Sequence, residues 1–373
     1  VNVNPSFSQD ADVYLIGNSL TNDTLPHLID NSRWHIFCNR NLEYIFNEPN
    51  GHCVGSSIAW PEALMDLEFR YVTVQPFGGT TLTEDRDIIS TWMFLQPNAG
   101  FVVHSGWSTQ ATFPTVYQSG NIDDRMKASP EYMSDLVNSL REIHPERLIV
   151  ETRANDLLYS VWLDILDSQL TDGPFDDYVL NSGGTVSPQD DLSDGTPSND
   201  PFSETDSYGQ GNPEYNGPMP FDLTNGNHVD PDPPSPFSET DANSGKHDPE
   251  IRLPFSDFSE LYRDPIHMDL MTGRFLMHNA MRYATRQPLF DRSFFTTLED
   301  QEYLYLKNKI IEVVVIPGDL NRDERVSLID INEFIEVLQN GSYDICADIN
   351  QDQIVGLDDI GPFVDLIVAS QFD

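Results

Sequence analysis

The stretch VYLIGNSL (13–20) joins an apolar run to a serine across a Gly-Asn step. Val13–Ile16 is typical of a short buried strand, which Gly17 ends. Ser19 then has two interpretations. It is either a nucleophile at the carboxyl end of a strand or the cap of the following helix, for which this composition is common.

Further apolar runs follow Val13–Ile16 along the chain. They lie at 34–37, 71–74, 101–104 and 148–150. Helical patterns separate them, such as Glu131–Ile143, whose apolar residues share one face. Short apolar strands that alternate with helices predict an α/β fold, in which helices cover both faces of a parallel sheet.

The composition is strongly acidic. The 373 residues include 61 Asp and Glu against 20 Lys and Arg, a net charge of −41. We expect no binding to nucleic acid or to anionic membranes, because both require a basic surface. Hard cations such as calcium are favoured instead. No apolar run approaches the roughly 20 residues of a transmembrane helix.

The first residue and the cysteines bear on the compartment. The chain begins at Val1 rather than Met, and we interpret it as a processed protein, extracellular or at the cell surface, whose signal peptide has been removed. Cys38 and Cys53 are close enough in sequence for one disulfide, which would leave Cys346 over. Three buried thiols are the alternative.

Residues 171–257 differ from the rest of the chain. They hold 13 of the 26 prolines, and Lys246 and Arg252 are their only Lys or Arg residues. The phrase PFSETD occurs at 201 and again at 236. This composition favours a disordered or loosely folded insertion, with a calcium-ordered or partner-binding module as the alternative.

Regular structure is expected again from about Leu261. Asp269–Ala284 is a predicted helix, and Thr296 with Glu299 resembles a capping box that opens another helix. Pro317-Gly318 marks a boundary. The predicted organisation is an α/β domain at 1–170 and 258–295, an insertion at 171–257, a linker helix at 296–316 and a C-terminal module at 317–373.

Two acidic loops dominate the C-terminal module. They are DLNRDERVSLID (319–330) and DINQDQIVGLDD (348–359). Both have oxygen-bearing side chains at positions 1, 3, 5 and 12, and an amphipathic helix is predicted after each. Alternate positions of a tight loop point inward at one ion, and a carboxylate at position 12 closes the far side. Acidic surface turns before two helices are the alternative.

This tandem resembles a type I dockerin, a small all-α, EF-hand-like module. The resemblance implies two calcium ions and docking to a partner, such as a cohesin-like module. An intramolecular or self-assembly role is the alternative. The implied ligands are Asp319, Asn321, Asp323, Arg325 and Asp330 in the first loop, and Asp348, Asn350, Asp352, Ile354 and Asp359 in the second. Position 6, commonly glycine, is Glu324 and Gln353, which must adopt a positive φ there.

YRDPIHMD (262–269) contains a second catalytic candidate. Asp264 and His267 lie three residues apart, and Pro265 stiffens the turn between them. A histidine that acts as a general base has to be held in one tautomer, and a nearby carboxylate does this. The pair therefore favours the interpretation of Ser19 as a nucleophile.

GNSL at 17–20 together with DPIH at 264–267 resembles the SGNH, or GDSL-type, hydrolase family, over about residues 12–170 and 258–290. The resemblance implies a flavodoxin-like three-layer α/β/α fold and hydrolysis of carboxylic esters. It makes Ser19 the nucleophile, His267 the general base and Asp264 its orienting acid. The implied substrate is an acyl ester, such as an acetyl ester, on extracellular polysaccharide.

The oxyanion-binding blocks depart from the family pattern. VQPFGG (74–79) stands where the family has Gly-x-Asn-Asp, and Gln75 is the candidate amide donor. For a further donor, Asn39, Asn41 and Gly78 stay open. We interpret His104, at the end of the fourth apolar run, as structural rather than as a second base.

These features predict a secreted serine esterase with a calcium-binding docking module. The alternative is an extracellular structural or self-assembling protein on an esterase-like fold, with calcium-dependent association and weak or no catalysis. The altered oxyanion blocks and the repeated PFSETD favour this alternative.

Overall fold

The computed structural model describes residues 11–119, 127–171 and 253–370. These residues belong to one compact unit that spans Val1–Pro174 and Glu250–Asp373. The predicted insertion at 171–257, with both PFSETD repeats, lies outside the described residues apart from its ends.

A parallel sheet organises the α/β domain. Its strands are β1 (Ala11–Gly17), β2 (Ser32–Ile36), β3 (Phe69–Val74), β4 (Gly100–Val103) and β5 (Ile149–Glu151). The strand order is β2-β1-β3-β4-β5, and every pairing is parallel. Each strand overlaps the apolar run that predicted it, so the predicted α/β fold with a parallel sheet is confirmed.

Helices connect the strands and continue to the C-terminal module. They are α1 (Ser19–Asp23), α2 (Leu42–Asn47), α3 (Trp60–Asp66), α4 (Leu82–Leu95), α5 (Phe113–Gln118), α6 (Pro130–Ile143), α7 (Ala154–Thr171), α8 (Thr272–Ala284), α9 (Asp300–Val313), α10 (Asp330–Asn340) and α11 (Ile360–Ser370). Short 3₁₀ helices cover Pro26–Leu28 and Phe258–Leu261.

Both faces of the sheet are buried. Successive side chains of a strand point to opposite faces. Tyr14 and Ile16 pack with residues of α2, α3, α4 and α6, whereas Val13 and Leu15 pack with Met281 of α8 on the other face. A strand that is covered on both sides needs a continuous apolar run rather than an alternating one, which is why these strands were visible in the sequence.

The strand order reverses direction at β1. The chain leaves β1 towards β2 and then crosses back to β3 on the other side of β1. In open α/β sheets, ligands bind outside the carboxyl ends of the strands at such a reversal. The loops that follow β1, β2 and β3 are therefore the expected location of a site.

Helix α9 begins later than the sequence predicted. The proposed capping box of Thr296 and Glu299 is wrong, because Glu299 itself precedes the helix and its N–H donates to Glu302 Oε2 at 2.9 Å. Phe295 and Leu298 are buried and hold the preceding residues in turns, so apolar packing overrides the local capping signal.

A disulfide joins Cys38 to Cys53, while Cys346 is a buried free thiol. The bond closes a loop beside the end of β2. In the described part of the chain, no helix is both long enough and apolar enough to cross a membrane.

Replacing both Cys38 and Cys53 with Ser should lower the free energy of unfolding by about 3 kcal/mol, because the disulfide restricts a loop with a sequence separation of 15. Denaturant unfolding with and without reductant measures this. Reductant should destabilise the wild type and leave the double variant unchanged. A double variant with the wild-type midpoint would contradict a stabilising role.

Candidate active site and acidic loops

Ser19 lies at the turn between β1 and α1. Asn18, not Ser19, caps the helix, because its Oδ1 accepts the Leu20 N–H at 2.9 Å. Ser19 is the first helical residue and is half-buried. The serine hydroxyl is therefore not needed as a cap, which removes the main structural interpretation of VYLIGNSL.

The turn beneath Ser19 is closely packed. A Cβ at Gly17 would lie 2.0 Å from Thr21 Oγ1, so a side chain does not fit there. Gln75 is fully buried just after β3. Its Oε1 accepts the Asn18 N–H at 3.3 Å and the Thr21 hydroxyl at 3.0 Å. Gln75 therefore holds the turn that presents Ser19.

The candidate side-chain oxyanion donors also serve the structure. Gln75 Nε2 donates to the Pro76 carbonyl at 3.3 Å. Asn41 Oδ1 caps α2 by accepting the Tyr44 N–H at 2.9 Å, which leaves the Asn41 Nδ2 group as a donor. Their role in binding an oxyanion stays a prediction.

The loops that carry the remaining candidates flank Ser19. Asn39 follows β2 and Gly78 follows β3, and these two strands are the neighbours of β1. Asn39 has a φ of 54°, a left-handed conformation that glycine adopts most readily and asparagine next. The Asn39 N–H therefore stays a candidate donor from the loop after β2.

Residues 264–267, here termed the histidine turn, join a carboxylate to an imidazole. Asp264 Oδ1 and Oδ2 lie 3.0 and 2.9 Å from His267 Nδ1. Asp264 Oδ1 also accepts the N–H groups of Ile266 and His267. Burial raises the pKa of Asp264, but these hydrogen bonds outweigh burial and hold the pKa below its usual value. In the tautomer whose Nδ1–H donates to Asp264, a neutral His267 has Nε2 as its acceptor nitrogen.

Asp23 connects the histidine turn to the helix of Ser19. It lies one helical turn after Ser19 and is fully buried. Its Oδ2 accepts the Met268 N–H at 2.9 Å. Its Oδ1 accepts the guanidinium groups of Arg263 and Arg274 at 2.9 and 2.8 Å. Sequence reasoning missed Asp23, because no local pattern distinguishes it from a surface carboxylate in the same helix.

The loop after β4 holds the histidine turn as well. Trp107 is fully buried and its Nε1 donates to the Ile266 carbonyl at 2.7 Å, while the Gln110 N–H donates to the Pro265 carbonyl at 2.9 Å. The structure therefore brings the Asp/His pair to the helix of Ser19. Within the described residues no hydrogen bond joins Ser19 to His267, so their direct contact stays a prediction.

His104 follows β4 and is fully buried. Its Nδ1 lies 2.9 Å from Thr152 Oγ1. Burial lowers the pKa of His104 to about 3, although the Leu20 backbone acts in the opposite direction. The ring is therefore neutral at physiological pH, and its burial agrees with the structural interpretation.

The two acidic loops share a set of internal hydrogen bonds. In each loop, the side chain at position 1 accepts the N–H of position 6, and the side chain at position 3 accepts the N–H of position 5. The side chain at position 5 accepts the N–H of position 7. The side chain at position 12 accepts the N–H groups of positions 3 and 9, and all of these distances are 2.8–3.0 Å. Glu324 and Gln353 at position 6 have φ values of 67° and 69°, as predicted. Arg322 and Gln351 at position 4 are also left-handed, with φ values of 54° and 61°.

The loop carboxylates are crowded. Burial raises the pKa of Asp319 to about 7, and the carboxylates of Asp323 and Asp330 are further causes. Asp348 is 5% exposed, and its Oδ1 is buried without a hydrogen-bond partner. Among the described residues, however, no group of three or more His, Cys, Asp or Glu side chains is arranged to hold a metal ion. Calcium binding therefore stays a prediction.

Comparison of the chain with known protein families gave no match. Comparison with curated protein sequences gave none either. The resemblances to an esterase family and to a dockerin module therefore rest on the sequence motifs and stay predictions.

Replacing Asp23 with Asn should lower the free energy of unfolding by roughly 2–3 kcal/mol. Removing one partner of a fully buried ion pair costs about 3–5 kcal/mol, and less is expected here because Arg263 and Arg274 keep side-chain exposures of 31% and 15%. Urea unfolding measures the decrease in the free energy of unfolding, and faster hydrogen exchange of the Met268 amide locates it.

Asp85→Asn is the matched control. Asp85 is also fully buried in a helix, but it accepts hydrogen bonds from Thr80 and Tyr132 rather than from arginines. The Asp85→Asn substitution should leave the hydrogen exchange of the Met268 amide unchanged. Equal Met268 protection in wild type and Asp23→Asn would contradict the role assigned to Asp23.

Proposed function

We propose that the protein is an SGNH-type serine esterase that hydrolyses carboxylic esters through Ser19. The observation that carries this proposal is the Asp264–His267 pair, which Asp23 holds against the helix of Ser19. The strand order supports it, because 2-1-3-4-5 is the order of flavodoxin-like sheets, with the site at the β1/β3 reversal.

In the proposed reaction, Ser19 Oγ attacks the ester carbonyl while His267 Nε2 takes its proton. Asp264 holds the ring through Nδ1 and stabilises the imidazolium. The Ser19 N–H and donors from the loops after β2 and β3 stabilise the oxyanion. The alcohol leaves with the proton from His267. Water, deprotonated by His267, then hydrolyses the acyl-enzyme and releases the acid and free Ser19.

We propose an acyl ester on extracellular polysaccharide, such as an acetyl ester, as the substrate, and a secreted or cell-surface location. The Cys38–Cys53 disulfide supports the location, because disulfides persist mainly in oxidising compartments. The substrate class follows from the family resemblance.

Ser19→Ala and His267→Ala should each lower kcat/KM for p-nitrophenyl acetate by at least about 10³-fold, because nucleophile and base act as a unit. Asp264→Asn should lower kcat/KM by roughly 10²–10⁴-fold, because His267 would no longer be held in one tautomer. Ester hydrolysis at constant enzyme concentration measures this. The exposed Ser134→Ala and His52→Ala are controls that should retain activity. Undiminished turnover by folded Ser19→Ala would refute the assignment.

We further propose that each acidic loop binds one calcium ion. The buried Asp348 Oδ1 without a partner is an atom that a cation would satisfy. The crowded carboxylates around Asp319 point the same way, because a divalent ion would relieve their repulsion. The ligands would be the side chains at positions 1, 3, 5 and 12, together with position 7. The ion would supply charge neutralisation and a cross-link within the loop.

One observation favours the alternative of docking or self-association through residues 317–373. Apolar side chains are exposed at equivalent places in both repeats. Leu328 and Leu357 at position 10 are 61% and 81% exposed, and Ile335 and Val364 in the following helices are 43% and 50% exposed. Exposed apolar groups that recur in this way are typical of a binding surface, here for a cohesin-like partner or for a second copy.

If the tail mediates self-association, calcium should raise the sedimentation coefficient of the wild type, and Leu357→Asp should remove that increase. Analytical ultracentrifugation with calcium and with chelator measures it. Met65→Asp is the control, because Met65 is 70% exposed and lies in the α/β domain. An unchanged wild-type coefficient on adding calcium would exclude calcium-dependent self-association and leave a different partner.

A further inference from the structure

The first acidic loop is joined to the α/β domain through its position 6. Glu324 Oε1 accepts the N–H of Glu151, the last residue of β5, at 2.8 Å. Glu324 Oε2 accepts Arg141 Nη2 of α6 at 2.8 Å. The residue that replaces the usual glycine therefore has a structural use, since its side chain connects the loop to the sheet.

Position 4 of the same loop makes a second connection. Arg322 is 7% exposed, and its guanidinium lies 4.2 Å from the centre of the Tyr283 ring in α8. Arg322 Nη1 donates to the Tyr283 carbonyl at 3.0 Å. The Tyr283 hydroxyl in turn accepts the Ile316 N–H at 3.0 Å. The end of α8 is thus fixed to the segment that enters the loop.

The second loop lacks these connections. Gln351 and Gln353 occupy the equivalent positions with similar positive φ, yet both are exposed. Within the described residues, neither side chain forms a hydrogen bond to the α/β domain. Two loops with the same backbone therefore face different surroundings.

Apolar packing supports the same junction. Leu320, Phe334 and Phe363 of the C-terminal module belong to one continuous apolar cluster with Phe275 and Leu306 of α8 and α9. A cavity of about 370 Å³ borders the junction, and its lining includes Arg286, Arg322, Glu333 and Asp344 but neither Ser19 nor His267.

We propose that the first acidic loop is an intramolecular calcium latch. Calcium held by residues 319–330 fixes the backbone at positions 4 and 6, and so fixes Arg322 on α8 and Glu324 on β5. The latch requires calcium to bind the docked loop more tightly than an undocked one, and calcium would then stabilise the α/β domain by linkage. This inference rests on the proposed calcium binding, and it assigns the coupling to the first loop alone.

The end of β5 is a place where such coupling matters. Thr152 follows Glu151, and its Oγ1 lies 2.9 Å from His104 Nδ1 and accepts the Ser105 N–H at 3.1 Å. The backbone that Glu324 holds therefore continues directly into a buried network at the carboxyl edge of the sheet.

Glu324→Ala and Gln353→Ala test the latch as a matched pair, since both replace position 6 and retain a positive φ. Calcium at a hundredfold excess over its Kd should raise the Tm of the wild type and of Gln353→Ala by roughly 5–10 °C. Glu324→Ala should lose most of this shift, and its Glu151 amide should exchange at least about tenfold faster. Scanning calorimetry and hydrogen exchange on the full chain measure both.

Calcium titration calorimetry on the same proteins separates the outcomes. No binding to the wild type would overturn calcium binding and the latch together. Binding with equal Tm shifts in Glu324→Ala and Gln353→Ala would overturn the latch alone. If Glu324→Ala does not fold, Glu324→Gln replaces it, because Gln keeps an acceptor for the Glu151 N–H but loses the ion pair with Arg141. An intermediate Tm shift would support the latch, and a full wild-type shift would refute it.

Discussion

The buried carboxylate of Asp23 is the interaction on which the candidate site depends. Placing a charge in an apolar interior is strongly unfavourable unless it is paired and hydrogen-bonded. Asp23 meets that condition with two arginines and the Met268 N–H. Because the carboxylate belongs to α1 and its donors belong to the residues around the histidine turn, satisfying one buried charge brings the proposed nucleophile and base to the same end of the sheet.

At the end of β1, the same residues hold the turn together and are candidates for the proposed chemistry. Gln75 stands where the family resemblance expects an oxyanion block, yet its Oε1 is committed to Asn18 and Thr21. A side chain at position 17 would collide with Thr21 and Gln75, so this turn requires glycine there. A buried polar group must be satisfied within the protein, so Gln75 orients Ser19 whether or not its amide also binds substrate.

The C-terminal module illustrates how equal loops acquire different roles. Within each loop, backbone N–H groups donate to nearby side-chain oxygens at equivalent positions, so both loops form the same turn. Phe334 and Phe363 occupy equivalent places in the two repeats, and their rings stack at 4.3 Å, which pairs the helices. What distinguishes the loops is the side chain at positions 4 and 6. In the first loop it reaches the α/β domain, and in the second it is exposed.

The sequence by itself determined the features that depend on neighbouring residues. Buried parallel strands require continuous apolar runs, the Asp264–His267 contact spans three residues, and the positive φ at position 6 follows from the loop pattern. Tertiary structure decided the rest. Asp23 meets Met268 across 245 residues, and Glu324 meets Glu151 across 173. Packing of Phe295 and Leu298 overrode the capping signal at Thr296. Such contacts leave no local pattern, because their partners are chosen by the packing of the folded chain.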